Sequence, residues 1–305
     1  MIAFFKKDGK IINCRIIDLE LSYFMSIKIT SDSTCDLSPA LLEEYHISLV
    51  PLYVTAGENT YRDGVDAQPT DLFDYVAQTG NLPTTAAVNI ADYHDFFAPL
   101  SAEHDAVIHI NISSEFSSCH QNARLAAEEF DNVYVVDSRN LSTGHGLLVI
   151  EAALAARRGE SARSIVAMLG ELTDRVESSF VIDKLDYLVK GGRCSSAAAL
   201  GANLLKLKPC IEVADGKMKV GKKYRGSFDK VLLDYVGERL SGREDITYER
   251  IFVTHTFCKP ETVAAVKEEI AKHAPFAEIL ETTAGCTISC HCGPNTLGIL
   301  FIRSK

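Results

Sequence analysis

Hydroxyl side chains gather at three points of this chain, as Thr84-Thr85, Ser113-Ser114 and Ser117-Ser118. Arg193, Arg225 and His291 are the other polar groups that stand among glycines or at turns between expected elements. Hydroxyls at a helix start, backed by free backbone N–H groups, suit a carboxylate or phosphate, and a guanidinium or imidazole nearby strengthens that preference. Each residue also has an ordinary structural reading. Thr85 or Ser113 suits a helix cap, Arg193 a turn on a solvated face, and His291 a core imidazole with one satisfied bond. A further set, Asp32-Ser33-Thr34, Ser113-Ser114 and Asp137-Ser138, falls at the ends of apolar runs. Carboxyl ends of parallel strands are where an open sheet binds ligands, so these residues are expected to line one crevice.

Cys286, Cys290, His291 and Cys292 form a C-x-x-x-C-H-C run with the look of a metal clip. Neighbouring side chains of an extended backbone point to opposite faces, and the second clip of a structural zinc site is missing. Free thiols are therefore expected and no metal. The chain has no G-x-G-x-x-G at its first strand, no Walker loop, no H-E-x-x-H and no G-x-S-x-G. The dinucleotide, nucleoside triphosphate, zincin and hydrolase readings lose most of their support.

The elements that must carry these groups alternate. Ile27 to Thr30 reads as a strand, Ser38-Pro39 opens an amphipathic helix, and His46 to Val54 resumes as a strand. Asn59 to Gln68 is turn-rich, and Pro69 to Gln78 is a helix stopped at Gly80. Helix, strand, helix and strand follow through residue 138, and Gly144-His145-Gly146 leads into a long apolar helix. Such alternation means a parallel sheet covered by helices. Beyond Gly159 the texture changes. Residues 210–226 form the clearest hairpin, with Asp215-Gly216 between two alternating strands, and helices and strands continue to an apolar terminal strand at 296–302.

At 305 residues, one large domain or two are the live options. The pattern favours an α/β domain with a parallel sheet over 25–175 and an α+β domain with a largely antiparallel sheet over 176–305, the chain crossing between them. Residues 1–24 read as a leader, a weak hairpin or disordered, with Met25 an alternative start. Forty-one acidic against 31 basic residues give a net charge of −10, which opposes nucleic acid phosphates and anionic lipid. Nine scattered cysteines fit a reducing, cytoplasmic setting.

From Met25 onward the chain resembles the DegV family. The resemblance rests on seven segments in order: ITSDSTCDL at 29–37, LPTTAA at 82–87, ISSEFSSCHQNA at 112–123, VVDSRNLSTGHG at 135–146, LDYLVKGGR at 185–193, the hairpin segment 204–226, and HCGPNTLGI at 291–299. It implies a two-domain fold that holds a long-chain fatty acid between an α/β domain and an α+β domain. Thr85 and Ser117 then resemble the hydroxyls on the carboxylate, with Ser114 as their neighbour and His291 as the histidine of the late motif. Arg193 and Arg225 resemble basic residues at the head group or rim, and Gly191, Gly192 and Gly293 the glycines that shape the site. Residues 197–205 and 211–213 are candidates for tunnel lining or for core.

The resemblance further implies a cofactor-free, non-catalytic carrier that presents its fatty acid to the catalytic subunit of an ATP-dependent fatty acid kinase. A cytoplasmic monomer with transient membrane contact for lipid exchange is expected. Glu115 stands where a glycine is commoner, Ala86-Ala87-Val88 replaces more polar sequence, and Cys292 follows the late histidine, with Gly293-Pro294-Asn295 next. Glu115 is expected to point away from the head group. An enzyme of a small carboxylate or phosphate, and a regulatory interaction protein, stay open as alternatives.

Overall fold

The computed structural model describes residues 4–7, 10–13, 26–198 and 207–304. In chain order the elements of the first half are β1 (Phe4–Lys7), β2 (Lys10–Asn13), β3 (Ile27–Asp32), α1 (Pro39–Glu44), β4 (Ser48–Val50), β5 (Tyr53–Ala56), β6 (Asn59–Arg62), α2 (Pro69–Thr79), β7 (Thr84–Ala86), α3 (Ile90–Glu103), β8 (Ala106–Asn111), α4 (Cys119–Ala127), β9 (Val133–Asp137), α5 (Ser142–Arg157) and α6 (Ala162–Thr173). The second half adds β10 (Val176–Ile182), α7 (Asp186–Gly191), α8 (Ser195–Ala198), β11 (Leu207–Ala214), β12 (Lys217–Arg225), α9 (Phe228–Leu240), β13 (Ile246–His255), α10 (Pro260–His273), β14 (Glu278–Thr283), α11 (Cys286–Cys292) and β15 (Thr296–Arg303). Of the expected leader, β1 and β2 pair as an antiparallel ladder, and its other residues lie outside the described ones. So do residues 199–205 of the candidate lining.

The architecture is two-domain α/β. A four-stranded parallel sheet runs β4-β3-β8-β9, and a six-stranded sheet runs β12-β11-β10-β15-β13-β14 with β13 and β14 its only parallel pair. β8 is buried at all six positions, as a strand covered on both faces must be. Ser38 caps α1, its Oγ accepting from Leu41 N at 3.3 Å, with Pro39 in the first turn where a missing N–H costs nothing. Asp215 and Gly216 both take positive φ, which lets the two-residue turn follow the twist of β11 and β12.

α5 joins the halves. Twelve of its 16 residues are buried, from Ser142 through Ala155. The helix packs on β3 and β8 of the parallel sheet and on β10, β13 and β15 of the other. Leu147, Leu148 and Ile150 share one apolar core with Ile29, Ile108 and Ile110 on one side and Phe252, Leu300 and Ile302 on the other.

Two stretches depart from expectation. His46 to Val54 is not one strand: β4 ends at Val50, and β5 begins at Tyr53 in a separate antiparallel sheet ordered β6-β5-β7. Pro51 sits at the break, lacking the N–H that a continuous ladder needs. That third sheet also draws Asn59–Arg62 and Thr84–Ala86, read as turn and loop, into short strands.

Candidate functional site

The site is assembled around α11, a helix of the second half seated on first-half elements α2, β5 and β7 as well as on α7. Two aspartates of the first half hold its start. Asp63, 3% exposed, accepts from Cys286 N at 2.7 Å through Oδ1 and from Thr287 N at 3.1 Å through Oδ2. Asp36 accepts from Gly285 N at 2.8 Å, and its other oxygen lies 2.5 Å from Ser142 Oγ. Free N–H groups at a helix start need such partners. Burial raises the Asp36 carboxyl to about 8. The run at 286–292 is thus helical, where the spacing argument against a metal assumes an extended backbone. Cys286 and Cys290, one turn apart, pack in a small core with Val54 and Leu72, whereas Cys292 packs in a different core with Leu52 and Met218. All eight described cysteines are free and buried, and among the described residues no group of His, Cys, Asp and Glu could hold a metal ion.

At the far end of α11, His291 Nε2 lies 2.9 Å from Thr85 Oγ1 on β7. Burial, and then the charge of Arg193, lower the imidazole to about 4, so the ring is neutral at neutral pH. His291 Nδ1 is buried without a partner against Gly191. An orphaned lone pair is better tolerated than an orphaned N–H, so we assign the proton to Nε2, donating to Thr85. The threonine hydroxyl hydrogen is then free for an incoming anion. Arg193 follows the left-handed cap Gly192 (φ 70°), donates from Nη1 to Gly191 O at 2.8 Å, and faces the same opening.

Ser117 completes the mouth. Its Oγ accepts from Cys119 N at 3.3 Å and points its hydrogen at Cys119 Sγ, 3.2 Å away, a weak acceptor from which a carboxylate oxygen would draw it. Beneath these groups lies a cavity of about 50 Å³ walled by Leu52, Ile112, Phe116, Leu141, Met218 and Ile288. Leu141, Ile288 and Cys292 also wall a second cavity of about 30 Å³, lined further by Phe180, Ala284 and Leu300 and by the polar Ser142, Thr254, His255 and Thr296. The two cavities share these three walls, with Thr85 of β7 at one end and Leu300 of β15 at the other.

The structure brings Thr85, Ser117, Arg193 and His291 to this mouth, with Gly191 under the imidazole. Gly293, at φ 71°, leaves no room for a side chain, since a Cβ would lie 2.6 Å from the Tyr187 ring. Ser114 and Arg225 are not brought there. Ser114 Oγ donates to Asp137 at 2.6 Å, and Arg225 is exposed at the end of β12. Asp32, Ser33, Thr34, Ser113, Asp137 and Ser138 do stand at the carboxyl ends of β3, β8 and β9, yet none of them lines either cavity. Asp32 is buried, accepting from Thr34 N at 3.1 Å and Ile112 N at 2.8 Å, and Ser113 Oγ donates to Gly216 O at 2.8 Å. These polar ends satisfy the loops that turn away from the strands. Glu115 pairs with Lys217 at 3.3 Å on the hairpin and does not line the cavity.

Asp36, Asp63, Leu141 and Ile288 were missed as site residues. Asp63 sits in a turn-rich stretch where no local pattern marks it, because the helix start it holds is over 200 positions away. Ile288 had one available signal, an apolar residue three before His291 and so on the same helical face.

Comparison with known proteins agrees with this layout. A family model described as "Uncharacterised protein, DegV family" matches residues 26–304. A DegV domain-containing protein of Caldanaerobacter subterraneus is 31% identical over 279 residues, covering 90% of this chain and 98% of the relative. A solved structure described as fatty acid binding of a DegV family protein from Thermus thermophilus superimposes with a TM-score of 0.84 at 31% identity, covering 92% of this chain and 100% of that one. The crystal structure of DegV, a fatty acid binding protein from Bacillus subtilis, gives 0.77 at 28% identity, covering 92% and 99%. With its overall fold and nearly its whole length matched in this way, the chain belongs to the DegV family.

Proposed function

We propose that this protein binds a long-chain fatty acid and carries it, without catalysis of its own, to the catalytic subunit of an ATP-dependent fatty acid kinase. The observation that carries the reading is the Thr85–His291 pair, 2.9 Å apart at the polar mouth of an apolar cavity. Thr85 and Ser117 hydroxyls donate to the carboxylate, Arg193 supplies the nearby positive charge, and neutral His291 orients Thr85. The acyl chain follows Leu141, Ile288 and Cys292 inward, each buried methylene contributing roughly 0.8 kcal/mol before ordering costs. Small-molecule sites enclose about 300–1,000 Å³, far more than these two cavities, so entry requires their walls to part. The kinase step adds a phosphoryl group from ATP to a carboxylate oxygen, giving acyl phosphate and ADP. We further propose a cytoplasmic monomer that touches membranes only to exchange lipid. Among the described residues no helix is long and apolar enough to cross one.

Mass spectrometry of organic extracts of the purified protein tests binding, with a stoichiometric fatty acid expected. Thr85→Ala should weaken binding by about 1.5–3 kcal/mol, the usual worth of a hydrogen bond to a charged group. Extracts free of fatty acid, together with no saturable binding of added oleate, would overturn the reading. Incubation with a fatty acid kinase catalytic subunit and ATP tests the second step: saturable binding without any acyl phosphate trapped by hydroxylamine removes the carrier role and leaves the binding role standing.

A further inference from the structure

A larger cavity lies elsewhere. It encloses about 330 Å³ between the two halves and shares no lining residue with the apolar mouth. Arg139 and Asn140 of the β9–α5 loop and Asp174 after α6 form one wall. The other comprises Ser178 on β10, the hairpin tip through Asp215 and Lys219, and Arg303 at the end of β15. The hairpin separates the two cavities by strand alternation: Met218 faces the apolar one and Lys219 this one.

Many of its charges are already matched. Arg239 pairs with Glu212 and Glu177, and Glu177 also takes Arg243 at 2.9 Å. What remains has both signs. The exposed Arg139 guanidinium and the exposed Asp174 and Asp215 carboxylates have no hydrogen bond or ion pair among the described residues, and exposed Lys219 reaches Glu212 only at 3.7 Å. Arg303 uses one nitrogen on Asp174 O, 2.6 Å away, with its other donors uncommitted. Ser178, 1% exposed, also lines the cavity, and its buried hydroxyl has no partner. A fatty acid's carboxylate would meet only the cations, and its acyl chain would displace water from the other polar groups without replacing it. A ligand of one sign would leave the groups of that same sign unmatched.

We propose that this cavity is a second binding site, for a small hydrophilic zwitterion whose anionic group meets Arg139 and Lys219 and whose ammonium meets Asp174 or Asp215. The volume lies at the lower end of the range of about 300–1,000 Å³ for small-molecule sites, which sets the size of the ligand.

Amide NMR titration of the full chain with O-phosphoethanolamine tests it, with inorganic phosphate and ethanolamine as single-charge controls. Saturable shifts are expected at Asn140, Ser178 and Gly216, with affinity at least about tenfold above either control, or about 1.4 kcal/mol. Arg139→Asn, which the positive φ of that position accepts, and Lys219→Ala should each weaken binding about tenfold. Ser114→Ala should not. Absence of saturable shifts into the millimolar range, equal binding of phosphate alone, or full binding by both cavity variants overturns the proposal. The outcome is independent of fatty acid binding, which is read separately at Thr85.

Discussion

A Cβ at position 191 would lie 2.4 Å from Nδ1 of His291, so the imidazole rests directly on a glycine backbone. No side chain contact that short persists, and the ring would have to leave its place beside Thr85. Gly191→Ala should therefore weaken fatty acid binding about tenfold, or 1.4 kcal/mol, and cost about 1–3 kcal/mol of stability by overpacking. Isothermal titration with oleate and urea unfolding of the same variant check both.

Asp63 holds two backbone N–H groups of α11 and the Ser33 hydroxyl, the latter at 3.0 Å. Asp63→Ala should destabilise by about 3 kcal/mol, because those buried donors are left without an acceptor. Asp63→Asn keeps one acceptor and should lose less. If both variants unfold at the wild-type urea concentration, the helix start is not held from this side.

The Asp36 carboxyl gives a pH signature. Its folded-state value, raised by burial to about 8, lies above the ordinary carboxylate range, so the folded protein keeps a proton that the unfolded chain releases. Its contribution is complete below about pH 4 and is lost as pH rises toward 8. Asp36→Asn removes the titration. The variant should gain stability relative to wild type with each step from pH 4 to pH 8, and a constant difference between the two would contradict the burial of a protonated group.

The two serines of the β8–α4 turn should separate cleanly. Ser117→Ala removes a hydroxyl at the mouth and should weaken oleate binding by about 1.5–3 kcal/mol. Ser114→Ala should leave affinity unchanged, since its hydroxyl is committed to Asp137. Reversed outcomes would mean that the carboxylate sits on the other side of the turn.

Ala284 lines the second cavity and is 2% exposed. Ala284→Leu adds volume where the end of the acyl chain should lie. Octadecanoate should lose affinity relative to dodecanoate, with the Thr85 dependence intact. Competition between the two acids measures the ratio.

What was legible in the sequence follows how local each cause is. The β11–β12 hairpin could be read directly, because two alternating strands and a turn that needs positive φ coincide within 19 residues, Leu207 to Arg225. The β4–β5 break could not, because the residues after Pro51 join a sheet whose other members, Asn59–Arg62 and Thr84–Ala86, carry almost no apolar alternation. Thr85 and His291 were identified through resemblance and not through spacing, since 206 positions separate them. Their meeting depends on Asp36, Asp63 and Gly191, and those residues act through backbone N–H groups and empty space, neither of which leaves a periodic mark. Arg193 was legible as a cation among glycines; that it bonds the carbonyl of Gly191 was not.

The burial of α5 decides how a lipid can get in. A helix covered on both sides by apolar residues of two sheets acts as a rivet between them, and swinging the halves apart like jaws would expose that whole seam to water at roughly 25 cal/mol for each Å². Admission must instead be a surface event. The hairpin borders the apolar cavity through Met218, and among the described residues its tip is held only by the Ser113–Gly216 bond and the exposed Glu115–Lys217 pair, so entry is expected beside it.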